Sequence, residues 1–330
     1  MRALLLDRIG APDALRLGEL ETPEPAAGHV RVRIAACGLN PSDYQRAAYG
    51  VPEWTWPAVV GLDGAGVVDA LGDGVSGFSV GQRVVFHADI RDRGALAEFA
   101  IADARVLTPI PDEVSWVEAA ALPAAGLTAY CAIIQRLRVG PGDTVLVTGA
   151  AGGVGGYAVQ LSRRQGARVI GTESAANAAT ARALGADEVI DFRSEDIGTR
   201  VRELTGGRGV DAVLDTVGSA SATENIQLLA FSGRIATIAG RPDISVVAPF
   251  GMAPSVHEVA LGAAYFYGSD RDLAHIADML GELLDLVARD ELDPMVARVV
   301  PLEQAPTALG DLAERRLSGK CVVGIRPCGQ

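Results

Sequence analysis

Val145-Leu146-Val147-Thr148-Gly149-Ala150-Ala151-Gly152-Gly153-Val154-Gly155 is the run that decides how this chain folds. An apolar stretch ends in a turn of small residues, and a helix-compatible segment, Gly156 to Gln165, follows. The start of a helix leaves several backbone N–H groups without acceptors; together they carry partial positive charge and hold a pyrophosphate. Small side chains let the phosphate approach the backbone. A second apolar run, Arg168-Val169-Ile170-Gly171-Thr172, ends in Glu173, an acid placed to accept hydrogen bonds from an adenosine ribose. Strand, loop, helix, strand and acid in this register predict a dinucleotide site rather than an ordinary Gly-rich turn.

Outward from that run, apolar stretches recur at Val169–Ile170, Val189–Ile190, Ala212–Leu214 and Ile235–Ile238, with helical stretches such as Asn177–Leu184 between them. This alternation predicts a parallel sheet covered by helices. The first third differs. His29–Ala35 alternates with period two, Gly64–Ala70 and Gln82–Phe86 read as further strands, and Gly72–Gly77 is turn chemistry, which together suggest a small barrel or sandwich. Ser115 reads as the cap of a helix over Trp116–Leu122, with Glu118 in capping-box position. A long helix is expected over about Arg271–Arg289. Lys320–Ile325 reads as a strand that returns to the first domain, since a terminal strand needs a sheet partner.

A chain of 330 residues, 49% of them hydrophobic, has material for two domains and a sizeable core. A net charge of −12 argues against nucleic acid or an anionic membrane as partner. Cys37, Cys131, Cys321 and Cys328 show no CxxC spacing, so a reducing, cytoplasmic setting is the natural expectation. The start is too soon charged for a signal peptide, and no apolar run reaches the roughly 18 residues of a membrane span.

Several motifs then occur in a telling order. They are Ala36-Cys37-Gly38-Leu39-Asn40-Pro41-Ser42-Asp43, Gly61-Leu62-Asp63-Gly64-Ala65-Gly66-Val67-Val68, Gly94-Ala95-Leu96-Ala97-Glu98-Phe99, Glu118 through Tyr130, the loop Gly149–Gly155, Leu184–Asp191, and Pro301 through Lys320. In this order they resemble the medium-chain dehydrogenase/reductase superfamily, in its zinc-independent, zeta-crystallin-like quinone oxidoreductase branch. The resemblance implies an α/β chain with a GroES-like barrel domain from residues 1–121 and 268–330 and a Rossmann domain from 122–267. It also implies a cleft for nicotinamide and substrate, and a homodimer. Ile244–Phe250 is a segment that pairs across a dimer axis or is simply a covered edge.

Zinc-using relatives place Cys, His and Glu ligands where this chain has Asn40 and Leu62-Asp63, and a third ligand near Ala124. Leu62 cannot ligate a metal, and His29, His87, His257 and His275 are scattered, so no zinc is expected. Without a metal, hydride comes from bound nicotinamide, a hydrogen-bond donor steadies the charge developing on a carbonyl oxygen, and an acid or water supplies the proton. By resemblance Asn40 lies near nicotinamide and substrate, and it reads equally well as an Asn that orders the turn before Pro41. Tyr44 and Tyr49 are the candidate O–H donors, with no basis for choosing between them. Thr128 matches the position whose hydroxyl faces the nicotinamide. Trp54 and Trp56 read as local packing in preference to a lid over a flat ring.

The cofactor-binding set expected is Thr128, Ala150, Gly152, Gly153, Val154, Gly155, Glu173, Ser174, Asn177, Ala239 and Gly240. Relatives of this branch mostly use NADPH, whereas Glu173, with no basic residue before Arg182, leans the reading toward NADH. Arg316 is the distant cation that would reach a 2′-phosphate. The expected function is NAD(P)H-dependent, metal-free reduction of quinones or of the C=C bond of α,β-unsaturated carbonyl compounds. The alternatives are an enoyl-thioester reductase of a biosynthetic pathway and a nucleotide-binding redox sensor without turnover.

Overall fold

The computed structural model describes residues 1–325; Cys328 lies outside them. The first elements are β1 (Arg2–Leu6), β2 (Leu15–Glu19) and β3 (His29–Gly38), the last burying Val30, Val32 and Ile34 as its period-two pattern requires. After α1 (Pro41–Tyr49) come β4 (Ala58–Val59), β5 (Asp63–Leu71), β6 (Arg83–His87), β7 (Phe99–Asp103) and β8 (Thr108–Pro109). Ser115 caps α2 (Trp116–Ala121): its hydroxyl accepts the Glu118 N–H at 3.2 Å, and the Glu118 carboxylate accepts the Ser115 N–H at 2.8 Å. Pro123 opens α3 (Pro123–Tyr130), which runs on into a π-helical turn, Cys131–Arg136.

Strand and helix then alternate: β9 (Thr144–Thr148), α4 (Gly153–Arg164), β10 (Arg168–Glu173), α5 (Ala178–Ala183), β11 (Glu188–Asp191), α6 (Ile197–Leu204), β12 (Val210–Asp215), α7 (Ser219–Asn225), β13 (Leu229–Thr237) and β14 (Ser255–Glu258). The last stretch holds α8 (Ala264–Tyr267), α9 (Asp270–Ala288), β15 (Val296–Pro301), α10 (Ala305–Ala313) and β16 (Lys320–Gly324).

The chain forms two compact units, one from Met1–Leu127 together with the stretch from Gly262 onward, the other from Thr128–Leu261. In the first unit one sheet has the order β15-β16-β3-β5-β6-β8, with β7 also on β3, and a smaller sheet has the order β2-β1-β4. β16 runs antiparallel to β3, Val322 opposite Gly38, so the terminal strand closes onto the first domain.

The second unit is a parallel sheet of order β11-β10-β9-β12-β13-β14. Succession runs outward from β9 through β10 to β11, then crosses to β12 on the other side. The switch point therefore lies at the carboxyl end of β9, where open α/β sheets bind ligands. Leu146, Ile170, Val213 and Ile235 from the strands are buried with Val201, Ala222 and Ile226 from the helices. Full burial of each Leu, Ile or Val stabilises this unit by about 1.5–3 kcal/mol before the entropy of ordering is subtracted.

One apolar segment of this unit is not extended. Ile244–Phe250 contains a 3-10 turn at Ile244–Val246, and Phe250 adopts a left-handed backbone with φ 57°. It is not a strand, because Pro249 and that φ break extended pairing. The outer strand is β14, which carries the partly exposed Val256. Among the described residues, no helix is long and apolar enough to cross a membrane.

Candidate functional site

The loop after β9 is shaped by backbone approach. Gly149 has φ 64°, accessible mainly to glycine, and its carbonyl accepts the Gly152 N–H at 2.9 Å. A Cβ on Gly155 would stand 2.0 Å from the Gly149 oxygen, so only glycine lets α4 begin this close to β9. Gly152 is the N-cap, and the N–H groups of Gly153, Val154 and Gly155 form the first turn, which has no intrahelical acceptors. Ala150 is buried under the loop, with its N–H given to the Thr172 carbonyl at 3.1 Å.

Glu173 ends β10 beside this loop and is only 8% exposed, so it is not a solvated rim acid. One carboxylate oxygen accepts the Ala151 N–H at 3.1 Å; the other accepts the Ser174 N–H at 2.9 Å and the Asn177 amide at 3.4 Å. Ser174 and Asn177 thus act first as donors that aim the carboxylate. Ala239 and Gly240 follow β13, and Gly240 lies against the start of α7, where a Cβ would stand 2.4 Å from the Ser219 hydroxyl. Arg316, the distant cation considered for a 2′-phosphate, is held by Asp311 at 2.8 Å and by Glu314. These groups fit a dinucleotide: amide donors for a pyrophosphate and a preset acceptor for ribose hydroxyls, both within the sheet unit.

The barrel unit contributes a buried polar knot at the turn from β3 into α1. Asn40 is 4% exposed. Its side-chain amide donates to Asp63 at 2.7 Å, and its side-chain oxygen accepts from the Lys320 ammonium at 2.6 Å. The other Asp63 oxygen accepts the Ala124 N–H at 2.9 Å, near the start of α3. Lys320 also donates to the Leu39 carbonyl at 3.1 Å and lies 3.5 Å from Asp63. Burial pushes the Asp63 carboxyl up, against the pull of the ammonium and the amide donors. Asp43 accepts the Asn40 N–H at 2.8 Å and faces Arg46 at 3.4 Å; burial lifts its carboxyl to about 6.

Sequence reasoning brought Asn40, Asp63 and Ala124 to one place, and the structure adds Lys320, which that reasoning missed. The signal was available: a lysine at the head of an apolar strand, Lys320-Cys321-Val322-Val323, must pair its ammonium or leave the core. Of the two tyrosines on α1, Tyr44 is half-buried and Tyr49 is 83% exposed. Thr128 is half-buried on α3. Trp54 is a packing residue: its indole N–H donates to the Ile90 carbonyl at 2.8 Å, and its ring meets Trp56 edge-on.

A polar cavity of about 440 Å³ also lies within the barrel unit, lined among others by His87, Asp89, Arg91, Asp103, Arg105 and Tyr265. Its arginines are matched, Arg91 with Asp89 and Arg105 with Asp103. Burial, reinforced by Arg46, pushes the His87 imidazole down to about 3 from the 6.5 of an unstructured histidine. The unfolded chain therefore takes up a proton that the folded one refuses between pH 6.5 and about 3. Stability from this group is complete above 6.5 and is lost as pH falls, by about 1.4 kcal/mol per unit. Denaturant titrations at pH 6.5 and 5 should show a loss in the native chain that exceeds that of His87→Leu by about 2 kcal/mol. Equal losses would mean that His87 is protonated in the fold.

The metal positions of zinc-using relatives do not fit zinc here. Leu62 has no donor atom, Ala124 offers an N–H to Asp63, and an ammonium stands beside that carboxylate. Among the described residues no three His, Cys, Asp or Glu side chains gather as a ligand set.

Comparison with known proteins gives the lineage. A family described as alcohol dehydrogenase GroES-like domain matches residues 26–112, and one described as zinc-binding dehydrogenase matches residues 184–323. A 2-haloacrylate reductase from Burkholderia sp is 34% identical over 97% of this chain and 98% of its own length. The solved quinone oxidoreductase from Coxiella burnetii superposes with TM-score 0.86 at 30% identity over 99% of each chain. A mycobacterial protein solved in complex with NADPH superposes with TM-score 0.87 at 32% identity, covering 98% of this chain and 100% of its own. The barrel is thus the GroES-like domain, the parallel sheet is the Rossmann domain, and the chain belongs to the medium-chain dehydrogenase/reductase superfamily, in its zinc-independent quinone oxidoreductase branch.

Proposed function

We propose that this oxidoreductase reduces quinones or the C=C bond of α,β-unsaturated carbonyl compounds at the expense of NADH, as a homodimer joined along β14. The observation that carries the reading is the buried, donor-locked Glu173 beside the Gly149–Gly155 loop. A carboxylate held there accepts ribose hydroxyls and repels a 2′-phosphate. Resemblance to a 2-haloacrylate reductase and to a quinone oxidoreductase supports the acceptor class.

When bound, the dinucleotide supplies the hydride. The chain's own part is to hold and to polarise. The first-turn N–H groups of α4 hold the pyrophosphate. Tyr44 donates its O–H to the acceptor's carbonyl oxygen, and Thr128 orients the nicotinamide. Among the described residues no metal-ligand set gathers, and acceptors that carry their own electron-withdrawing carbonyl suit a site that polarises by hydrogen bonds. The outer strand β14, with Val256 and the exposed Phe231 and Phe250 in the same unit, offers the edge and the apolar surface for a second copy.

One preparation tests all of this. Steady-state oxidation of NADH and NADPH against quinones, enones and enoyl thioesters should give turnover, with NADH preferred and quinones or enones ahead of thioesters. Tyr44→Phe should lower kcat about tenfold, the size of one lost donor. Sedimentation should give twice the chain mass. Nucleotide binding without oxidation of any acceptor would reject the reductase in favour of a redox sensor.

A further inference from the structure

The polar cavity of the barrel unit holds an imidazole that the protein satisfies on one side only. His87, at the end of β6, is 2% exposed. Tyr265 gives its O–H to the His87 carbonyl, so the 3.4 Å contact between the Tyr265 oxygen and the His87 Nδ1 is donated by the ring. That fixes the tautomer: Nδ1 carries the proton and Nε2 keeps a lone pair. Among the described residues no donor meets that lone pair, and His87 lines the cavity. A buried acceptor is costly unless a donor reaches it, here through the cavity.

The charges around it are unequal. Four carboxylates, on Asp89, Asp92, Asp103 and Asp270, stand against two guanidiniums, on Arg91 and Arg105. Both guanidiniums are committed. Arg91 holds Asp89 and donates to the Tyr265 carbonyl at 2.9 Å, and Arg105 holds Asp103 and Asp270. Asp92 has no such partner among the described residues. Partial burial and the neighbouring Asp89 push its carboxyl up, the direction of a carboxylate short of positive charge. The His29 Nδ1 donates to the Ala27 carbonyl at 3.0 Å, so its neutral ring also keeps Nε2 as an acceptor. Ile101, Val106 and Leu273 make part of the lining apolar.

We propose that this cavity binds an aliphatic polyamine, its ammonium groups given to Asp92 and to the His87 Nε2 and its methylenes laid on the apolar lining. An ammonium supplies both things the cavity lacks, positive charge and a donor. His87 itself refuses a proton because its ring is buried and close to Arg46, whereas an ammonium in the cavity stays beside the carboxylates. A metal ion suits the cavity less, since among the described residues no three His, Cys, Asp or Glu side chains gather as a ligand set. An anion would meet the uncompensated carboxylates. Asn40, Tyr44 and Thr128 are not part of the lining, so the site is independent of the reductase reading.

Calorimetric titration of the full native chain tests this at pH 8 and constant ionic strength, where imidazoles are neutral and alkyl ammoniums charged. Putrescine should bind one per chain. Butylamine, with a single charge, should bind at least tenfold more weakly, and butanediol should give no heat of binding. Asp92→Asn and, separately, His87→Leu should each weaken putrescine at least tenfold, while Asp13→Asn, outside the cavity, should leave it within twofold. Absence of putrescine binding would mean that water alone fills the cavity and would overturn the proposal. So would binding that survives both cavity variants, or that magnesium displaces as readily as a second diamine does, since either marks attraction to the acidic surface at large. Should a variant fail to fold, the ligand series on the native chain decides alone: a diamine no better bound than the monoamine sinks the assignment.

Discussion

Gly155→Ala should weaken NADH binding by about 100-fold. The added Cβ would sit 2.0 Å from the Gly149 oxygen and 2.7 Å from its carbonyl carbon, both backbone atoms that no rotamer change can move aside. Either α4 withdraws from β9 or the loop shifts, and the first-turn N–H groups no longer point at one phosphate. Overpacking of this kind costs about 1–3 kcal/mol in stability. Losing one or two N–H bonds to a charged phosphate costs about 3 kcal/mol in binding, which is two decades in dissociation constant. Gly140→Ala is the control, since nothing lies within 4 Å of a Cβ there. Calorimetric titration with NADH reads the difference, and an affinity within threefold of the native chain would remove the loop from the nucleotide site.

Glu173→Ser should move the ratio of kcat/KM for NADH over NADPH by at least about tenfold toward NADPH. The native carboxylate lies in a position of low exposure, so its repulsion of a 2′-phosphate is poorly screened; about 1.4 kcal/mol suffices for a decade. The substitution acts twice, because it also removes the carboxylate oxygen that accepts the Ala151 N–H. NADH kinetics should therefore worsen while NADPH kinetics improve or hold. A ratio unchanged within twofold would show that the carboxylate serves the loop alone.

Periodicity made most of the fold readable. The alternation in His29–Ala35 and the apolar runs from Val145 to Ile238 correspond to β3 and to β9 through β13 because each strand buries what its pattern offers. The cap at Ser115 was legible because capping is local. What escaped was long-range. Lys320 and Asn40 are 280 residues apart, and nothing in either neighbourhood names the other. Glu173 was visible as an acid at a strand end, but its burial and its hold on Ala151 depend on how the loop folds back. The 3-10 turn within Ile244–Phe250 was not legible, because apolar content alone does not separate a turn from a covered edge.

The final strand β16 pairs with β3 and also with β15, so the barrel is completed by its two distant ends while the nucleotide-binding sheet lies between them. During synthesis the middle unit can finish first, since all its strands leave the ribosome before residue 262. Pairing of β3 with β16 must wait until residues 320–324 have been made. A polypeptide released before residue 320 would keep the parallel sheet yet leave this side of β3 without β16, and Asn40 without the ammonium it accepts from.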